Sequence, residues 1–435
     1  NKKINFVELD RRQRKIRMES NGRRNNYSPP STSSANTRVA DGPMSSSEAS
    51  DSMQSWWESI SKARARIVSL SSLLPTTPSS SFSLSALADS DRPALSFLSS
   101  LEAYNLFSSA ISLPSSGSGS DPLCQWLYET YISCDPHLRL VVLSFVPLLL
   151  GLYLGRLHTS DSASTPPLAG FEAVLLAIYT SEVKSRCGKP IVVNIPDLSQ
   201  PSLYHTPRNG AKSQYGHPGP SVGLLSPPLE PQVAVKSTKR PVIVGVALDC
   251  YFKQISQMPS WSKKELCWFA AGWAGQDCAC KDRLDESDAS DLIDHVPKNS
   301  SEDGNDACEI EGLEDELAAR LNVEDQNDDV RNLAVRLPLP WEMLQPLLRI
   351  IGHCLLAPLN PQDVKDAGSL TVRRLYARAS HDLVPQAILA TRSLIRLDKR
   401  ARDAAKESAS SAPNVSSTIN TPTKVKKPEV LLASK

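Results

Sequence analysis

The sequence lacks the short motifs by which most enzymes are recognised. It has no glycine-rich loop followed by Lys-Ser/Thr, no His-Glu-x-x-His pair, no nucleophile elbow and no set of protein-kinase motifs. His205, His353 and His381 stand in ordered-looking stretches, but no partner nucleophile is identifiable for any of them. We therefore interpret them as structural groups and predict no catalytic residue and no cofactor. An enzyme of an unrecognised type is kept only as a third hypothesis.

A surplus of positive charge is also missing. Lys and Arg number 48 against 47 Asp and Glu, which argues against a general nucleic-acid binder. The nine cysteines are odd in number and form no disulfide framework, which is typical of a reducing, cytosolic setting. Cys278, Cys280, His295 and Cys308 lack the knuckle spacing of a zinc site, so we predict no metal.

The main apolar run is too short for a membrane span. It extends from Leu140 to Gly155, lies between Arg139 and Arg156, and contains Pro147. A spanning helix needs about 20 apolar residues. The run is therefore predicted to be a buried core helix.

Few aromatic residues and many prolines and serines limit how much of the chain can fold. Aromatics make up 6% of the residues, and there are 33 prolines. We predict a mainly α protein: a single helical-stack domain with a small β-hairpin and long disordered segments. The predicted parts are a disordered N-terminal lead at 1–52, a helical body at 53–275 with a hairpin near 190–236, an acidic disordered insertion at 276–335, C-terminal helices of the same body at 336–405, and a disordered tail at 406–435. Within the lead, residues 1–43 are expected to be a non-native or alternative leader.

Local patterns predict most of the elements. Apolar residues at helical spacing indicate helices, among others, over 53–71, 91–111 and 261–274, and Ser115–Ser120 has the composition of a flexible linker. The β-branched stretch Ile191–Ile195 predicts a strand, and Val233–Val235 is the candidate for its returning partner. Two strands alone are marginally stable, so we expect them to pack on helices.

The last predicted helix, at about 383–405, is rich in basic residues. Four of them are candidate membrane-facing residues: Arg392, Arg396, Lys399 and Arg400. Each Lys or Arg near an anionic lipid surface contributes about 1 kcal/mol. The alternative interpretation is an ordinary solvated helix face.

Several stretches together resemble the hyccin family. They are Trp126-Leu-Tyr-Glu, Asp135-Pro-His-Leu, Gly170-Phe-Glu-Ala-Val-Leu-Leu-Ala-Ile-Tyr179 and the segment from Asn194 to His205. Within that last segment the family pattern matches Ile195, Pro196, Leu198, Ser199, Pro201, Ser202, Tyr204 and His205. The acidic insertion departs from the animal pattern, and together with the Ser-rich leader it looks like a plant version of the family.

The resemblance implies a role that the residues alone do not. Hyccins are helical, non-catalytic subunits of a plasma-membrane phosphatidylinositol 4-kinase complex. The implied partners are a tetratricopeptide-type scaffold and a large kinase, with no nucleic acid. The implied location is the cytoplasm and, through the complex, the periphery of the plasma membrane. The 195–205 segment would either brace the fold or contact the scaffold. The alternative function is a helical lipid-surface or trafficking adaptor unconnected to a kinase.

The acidic stretch generates the first testable prediction. Between residues 281 and 330 there are 18 Asp and Glu against 4 Lys and Arg, and such sequence repels itself and cannot build a core. Deleting residues 282–330 should therefore leave the melting temperature and partner binding largely unchanged. A large drop in melting temperature would show that these residues belong to the core.

Overall fold

The computed structural model describes residues 46–74, 83–158, 168–195, 221–275 and 336–410. Within these ranges it contains thirteen α-helices and one two-stranded sheet, so the mainly α prediction is confirmed. The predicted acidic insertion and most of the two predicted terminal segments lie outside the described residues, and the domain boundaries stay predictions. The elements are α1 (Ser46–Leu73), α2 (Leu84–Ala88), α3 (Pro93–Ser99), α4 (Leu101–Ile111), α5 (Pro122–Ile132), α6 (Pro136–Ser144), α7 (Val146–His158), α8 (Ala169–Arg186), β1 (Ile191–Ile195), β2 (Ser221–Ser226), α9 (Arg240–Lys253), α10 (Ser260–Ala274), α11 (Trp341–Leu356), α12 (Gln362–His381) and α13 (Pro385–Ser410).

Two Asp-Pro pairs start consecutive helices. The Leu123 amide donates to Asp121 Oδ1 at 2.8 Å, and the Leu138 amide donates to Asp135 Oδ1 at 2.9 Å. In each case a proline occupies the first turn, where its missing N–H leaves no hydrogen bond unmade. The predicted starts of α5 and α6 are confirmed.

The long apolar run is buried, as predicted, but it is not one helix. Helices α6 and α7 meet at Phe145 with a bend of 42°. Pro147, in the first turn of α7, cannot donate a hydrogen bond to the carbonyl of Leu143, and its ring crowds that carbonyl. No single helix in the described ranges is long and apolar enough to cross a membrane. This bent pair passes that test on length and composition only.

Two further predictions in this part of the chain are wrong. The expected single helix over 91–111 breaks at Ser100, whose hydroxyl accepts a hydrogen bond from the Ala103 amide and so starts a new helix. The expected flexible linker around Ser116 is a built loop. The buried Arg156 guanidinium donates to the carbonyls of Ser112, Leu113 and Ser116 at 2.7–3.1 Å, and no local pattern shows this distant partner.

One hydrophobic core joins helices from both sides of the 276–335 gap. At its N-terminal side, aromatic rings from several helices meet: the Tyr104 and Trp261 ring centroids are 4.2 Å apart, and those of Phe107 and Phe145 are 4.3 Å apart. At its C-terminal side, the Thr371 hydroxyl of α12 donates to the Cys267 carbonyl of α10 at 2.9 Å. The described helices therefore share a single interior.

The crossing of α9 and α11 generates the second prediction. A Cβ built on Gly245 would lie 2.2 Å from the Glu342 carbonyl oxygen, a backbone atom that cannot move aside alone. Replacing a helical glycine by alanine usually stabilises by about 0.5–1 kcal/mol, whereas overpacking costs about 1–3 kcal/mol. Gly245→Ala should therefore lower the free energy of unfolding. The control is Gly119→Ala, where the added Cβ meets nothing closer than 3.7 Å. Equal denaturation curves for the two variants would contradict the close crossing.

Candidate functional site

The two-stranded hairpin is the feature of the fold that most resembles a binding surface. Strands β1 and β2 are antiparallel, with Val192 opposite Leu224 and Asn194 opposite Val222. The predicted strand Ile191–Ile195 is confirmed. The predicted returning strand at Val233–Val235 is wrong, because the partner strand is Ser221–Ser226. The only sequence signal for the partner strand Ser221–Ser226 is a short apolar pattern inside a Pro/Gly-rich stretch.

Neither face of the hairpin is buried against the described helices. Residues opposite each other on paired strands share a face, so one face carries Val192, Val222 and Leu224, whose side chains are 55%, 62% and 64% exposed. The other face carries Val193 and Ile195, which are also exposed. The expectation that the strands pack on helices is therefore wrong. Contiguous exposed aliphatic surface is typical of a protein interaction site.

A buried ion pair holds the root of the hairpin. Arg186, in the last turn of α8, lies 3.0 Å from Glu182 Oε1 through Nε and donates from Nη1 to the Ser226 hydroxyl at 3.0 Å. Lys253 of α9 also pairs with Glu182. Because Glu182 and Ser226 are both buried, this contact fixes the end of β2 to the helical body.

A backbone turn adds a second attachment. Helix α8 ends at Cys187 and Gly188, both with positive φ, and the Gly188 amide closes the helix by donating to the Val183 carbonyl at 3.0 Å. The Gly188 carbonyl then accepts from the Leu229 amide at 2.9 Å. The Tyr179 hydroxyl donates to the Glu230 carbonyl at 2.7 Å. The hairpin therefore has a fixed root and two open apolar faces.

The family segment predicted from the sequence joins the far end of this hairpin. Ile195 is the exposed last residue of β1 and pairs with Ser221, the first residue of β2. Chain connectivity therefore makes residues 196–220 the link between the two strands at that end. The other predicted residues lie outside the described ranges: Pro196, Leu198, Ser199, Pro201, Ser202, Tyr204 and His205.

The basic residues of the last helix lie on α13, as expected. Arg396, Lys399 and Arg400 are exposed, and Arg392 is half-buried. Arg402 has an internal role instead, because it pairs with Asp366 of α12 at 2.7 Å and with Asp398 at 3.2 Å. The predicted contact of Arg392, Arg396, Lys399 and Arg400 with lipid stays a prediction.

The chemistry of the buried thiols of Cys250 and Cys267 and of the His353 imidazole favours packing roles. Burial raises the pKa of Cys250 to about 12, and a hydrogen bond with Cys354 together with burial raises that of Cys267. Such thiols stay protonated at neutral pH and are poor nucleophiles. Burial lowers the pKa of His353. Within the described ranges no group of three or more His, Cys, Asp or Glu could hold a metal ion, while Cys278, Cys280, His295 and Cys308 lie outside them.

Comparison with known protein families gives a match over most of the chain. The family model described as Hyccin matches residues 88–433 of this chain. The match includes the hairpin and the helices from α3 onward, and it leaves α1 outside.

The anchoring of the hairpin generates the third prediction. Arg186→Ala removes the partner of the Ser226 hydroxyl and one of the two cations beside the buried Glu182, at a cost of about 1–3 kcal/mol. Amide hydrogen exchange in β1 and β2 should accelerate more than exchange in the helices. Lys239→Ala is the control, because its pair with Glu230, at 3.4 Å, is largely exposed and contributes little. Unchanged exchange in the strands would show that Arg186 does not anchor them.

Proposed function

The chain belongs to the hyccin family, a membership that supports a non-catalytic subunit role in general. From this premise we propose that it stabilises a phosphatidylinositol 4-kinase complex and supports phosphatidylinositol 4-phosphate production at the plasma membrane. Its proposed partners are a tetratricopeptide-type scaffold and the large kinase. The observation that carries the proposal is the hairpin with a fixed root and two exposed apolar faces.

The hairpin has the properties of a docking element for a helical scaffold. Moving a half-exposed Val, Ile or Leu into an apolar interface contributes roughly 1 kcal/mol per side chain. The hairpin presents five such side chains: Val192, Val193, Ile195, Val222 and Leu224. Because Arg186 and the Gly188 turn already fix its root, less conformational entropy is lost on binding than for a free loop. The hairpin thus supplies binding energy without any reacting group.

A subunit of this kind acts through mass action. A ligand that binds only the folded partner stabilises that partner by about 2.7 kcal/mol when its concentration is 100 times its Kd. Loss of the chain should therefore lower the amount of folded scaffold and, with it, of kinase. The lipid product falls as a consequence, with no catalytic residue contributed by this chain.

A second candidate function rests on a different surface. Exposed Arg396, Lys399 and Arg400 lie on α13, where Leu389 is also exposed. Basic residues beside an exposed leucine are typical of helices that bind anionic lipid surfaces. This arrangement favours a lipid-surface or trafficking adaptor that acts without a kinase.

The fourth prediction tests the hairpin directly. Leu224→Asp places a carboxylate on the open face, so the isolated protein should keep its melting temperature. An unpaired charge buried in the complex costs several kcal/mol, so scaffold affinity should fall by about 100-fold. Scaffold and kinase levels and the plasma-membrane lipid signal should fall with it. Leu359→Asp is the matched control, because Leu359 is also an exposed leucine, at 95%, but lies outside the hairpin.

Two results would decide against the kinase-complex proposal. One is unchanged scaffold affinity for Leu224→Asp together with unchanged kinase abundance after removal of the whole protein. The other is binding of the purified protein to phosphatidylserine vesicles that is lost in an Arg396→Glu, Arg400→Glu variant while the lipid product stays normal. The second result would support the adaptor alternative.

A further inference from the structure

A cleft at the N-terminal end of the described body has no role in the proposed function. It lies between α1, the start of α3 and the first turn of α6, and has a volume of about 260 Å³. Trp56, Ile60 and Ala63 form its α1 wall, and Arg92, Leu95 and His137 contribute to the other side. Helix α1 precedes the residues that match the family model, so this cleft includes an element outside that match.

The mouth of the cleft carries an unusual amount of exposed apolar surface. Trp56 and Trp57 are 48% and 57% exposed, their ring centroids are 4.9 Å apart, and the nearby Met53 is also exposed. Tryptophan is the residue type most enriched at the energetic centres of protein interfaces. Adjacent exposed tryptophans beside a cavity therefore indicate a site for an apolar side chain.

The charged groups at the cleft favour a ligand that carries negative charge. Arg92 and His137 are exposed and line it, and no acidic residue is among the described residues that do so. The nearby carboxylate of Asp135 is buried and accepts hydrogen bonds from the Ser59 hydroxyl and the Leu138 amide. A segment that combines aliphatic side chains with carboxylates would match both properties of the cleft.

We propose that the cleft binds an acidic segment of this same chain, residues 309–322. This stretch reads Glu-Ile-Glu-Gly-Leu-Glu-Asp-Glu-Leu-Ala-Ala-Arg-Leu-Asn and has leucines at 313, 317 and 321. Five carboxylates lie among its aliphatic residues, with a single arginine. The aliphatic side chains would contact Trp56 and Trp57, and the carboxylates would pair with Arg92 and His137.

The length of the chain allows this contact. Fourteen residues lie between Leu321 and Arg336, where the described chain resumes, and this connection reaches about 50 Å when extended. A folded body of this size has a radius of gyration of about 18 Å, so a tether of that length reaches a large part of its surface. A tethered segment has an effective concentration of about 1 mM, so even a weak contact is populated. An outside partner for the tryptophans would have to displace this segment.

The test uses the full-length chain and amide hydrogen exchange. Exchange within residues 309–322 should be slower in the protein than in the free synthetic peptide of the same sequence. Trp56→Ala and Arg92→Glu should each remove that protection, while keeping the melting temperature, because both side chains are exposed. Trp341→Ala is the matched control, since Trp341 is 43% exposed but lies on α11.

A competition arm identifies the occupant. A full-length variant with Leu313, Leu317 and Leu321 changed to Ser keeps the chain length, but its own 309–322 segment should bind the cleft more weakly. The labelled 309–322 peptide should bind this variant about tenfold or more tightly than it binds the unchanged protein. Adding Arg92→Glu to the variant should abolish that binding.

Other outcomes would overturn the inference. Equal peptide affinity for the two proteins, or protection that survives Trp56→Ala, would show that the segment does not occupy the cleft. Binding of the serine variant to phosphatidylserine vesicles through Trp57, without peptide binding, would assign the surface to lipid. Trp57-dependent dimers in sedimentation experiments would assign it to a second copy of the chain.

Discussion

The candidate site depends on the ion pairs made by the buried carboxylate of Glu182. This carboxylate pairs with Arg186 from its own helix and with Lys253 from α9, and the Cys250 thiol also donates to it. A buried charge is tolerated only when it is well paired, so this position constrains the relative placement of α8 and α9. Arg186 carries the constraint on to Ser226 and so to the hairpin. The exposed strands are positioned by a polar contact at their root and not by packing of their faces.

Similar residues on one helix have different roles because they lie on different sides of it. On α13, Arg402 turns toward α12 and pairs with Asp366, while Arg396 and Arg400 lie on the exposed side. Ser369 of α12 adds a hydrogen bond to Asp398 at 2.7 Å, so the inner face of α13 is held by polar contacts as well as by apolar ones. Helical phase therefore separates the arginine that attaches α13 to α12 from those that lie on the exposed side of the helix.

The long acidic stretch interrupts the chain where the folded body can tolerate it. The Leu337 amide donates to the Trp273 carbonyl at 3.2 Å, and Arg378 donates to the carbonyls of Trp273 and Leu337. The two ends of the 276–335 segment are therefore held side by side by residues that belong to the core. Closing a longer loop between ends that already meet costs little more than closing a short one, since the cost grows only with the logarithm of its length. Insertion at this place separates α10 from α11 in sequence but not in space.

The sequence by itself determined the features that depend on neighbouring residues. The Asp-Pro starts of α5 and α6, the β-branched strand β1, the apolar face of α10 and the basic character of α13 all follow from patterns within a few positions. Tertiary structure alone decided which strand pairs with β1, that the hairpin faces stay open, that Arg156 builds a loop from a Gly/Ser stretch, and that Trp56 borders a cleft. The reason is that hydrogen-bond partners and burial are set by residues 40 or more positions away, as between Arg156 and Ser116, and a local pattern carries no information about them.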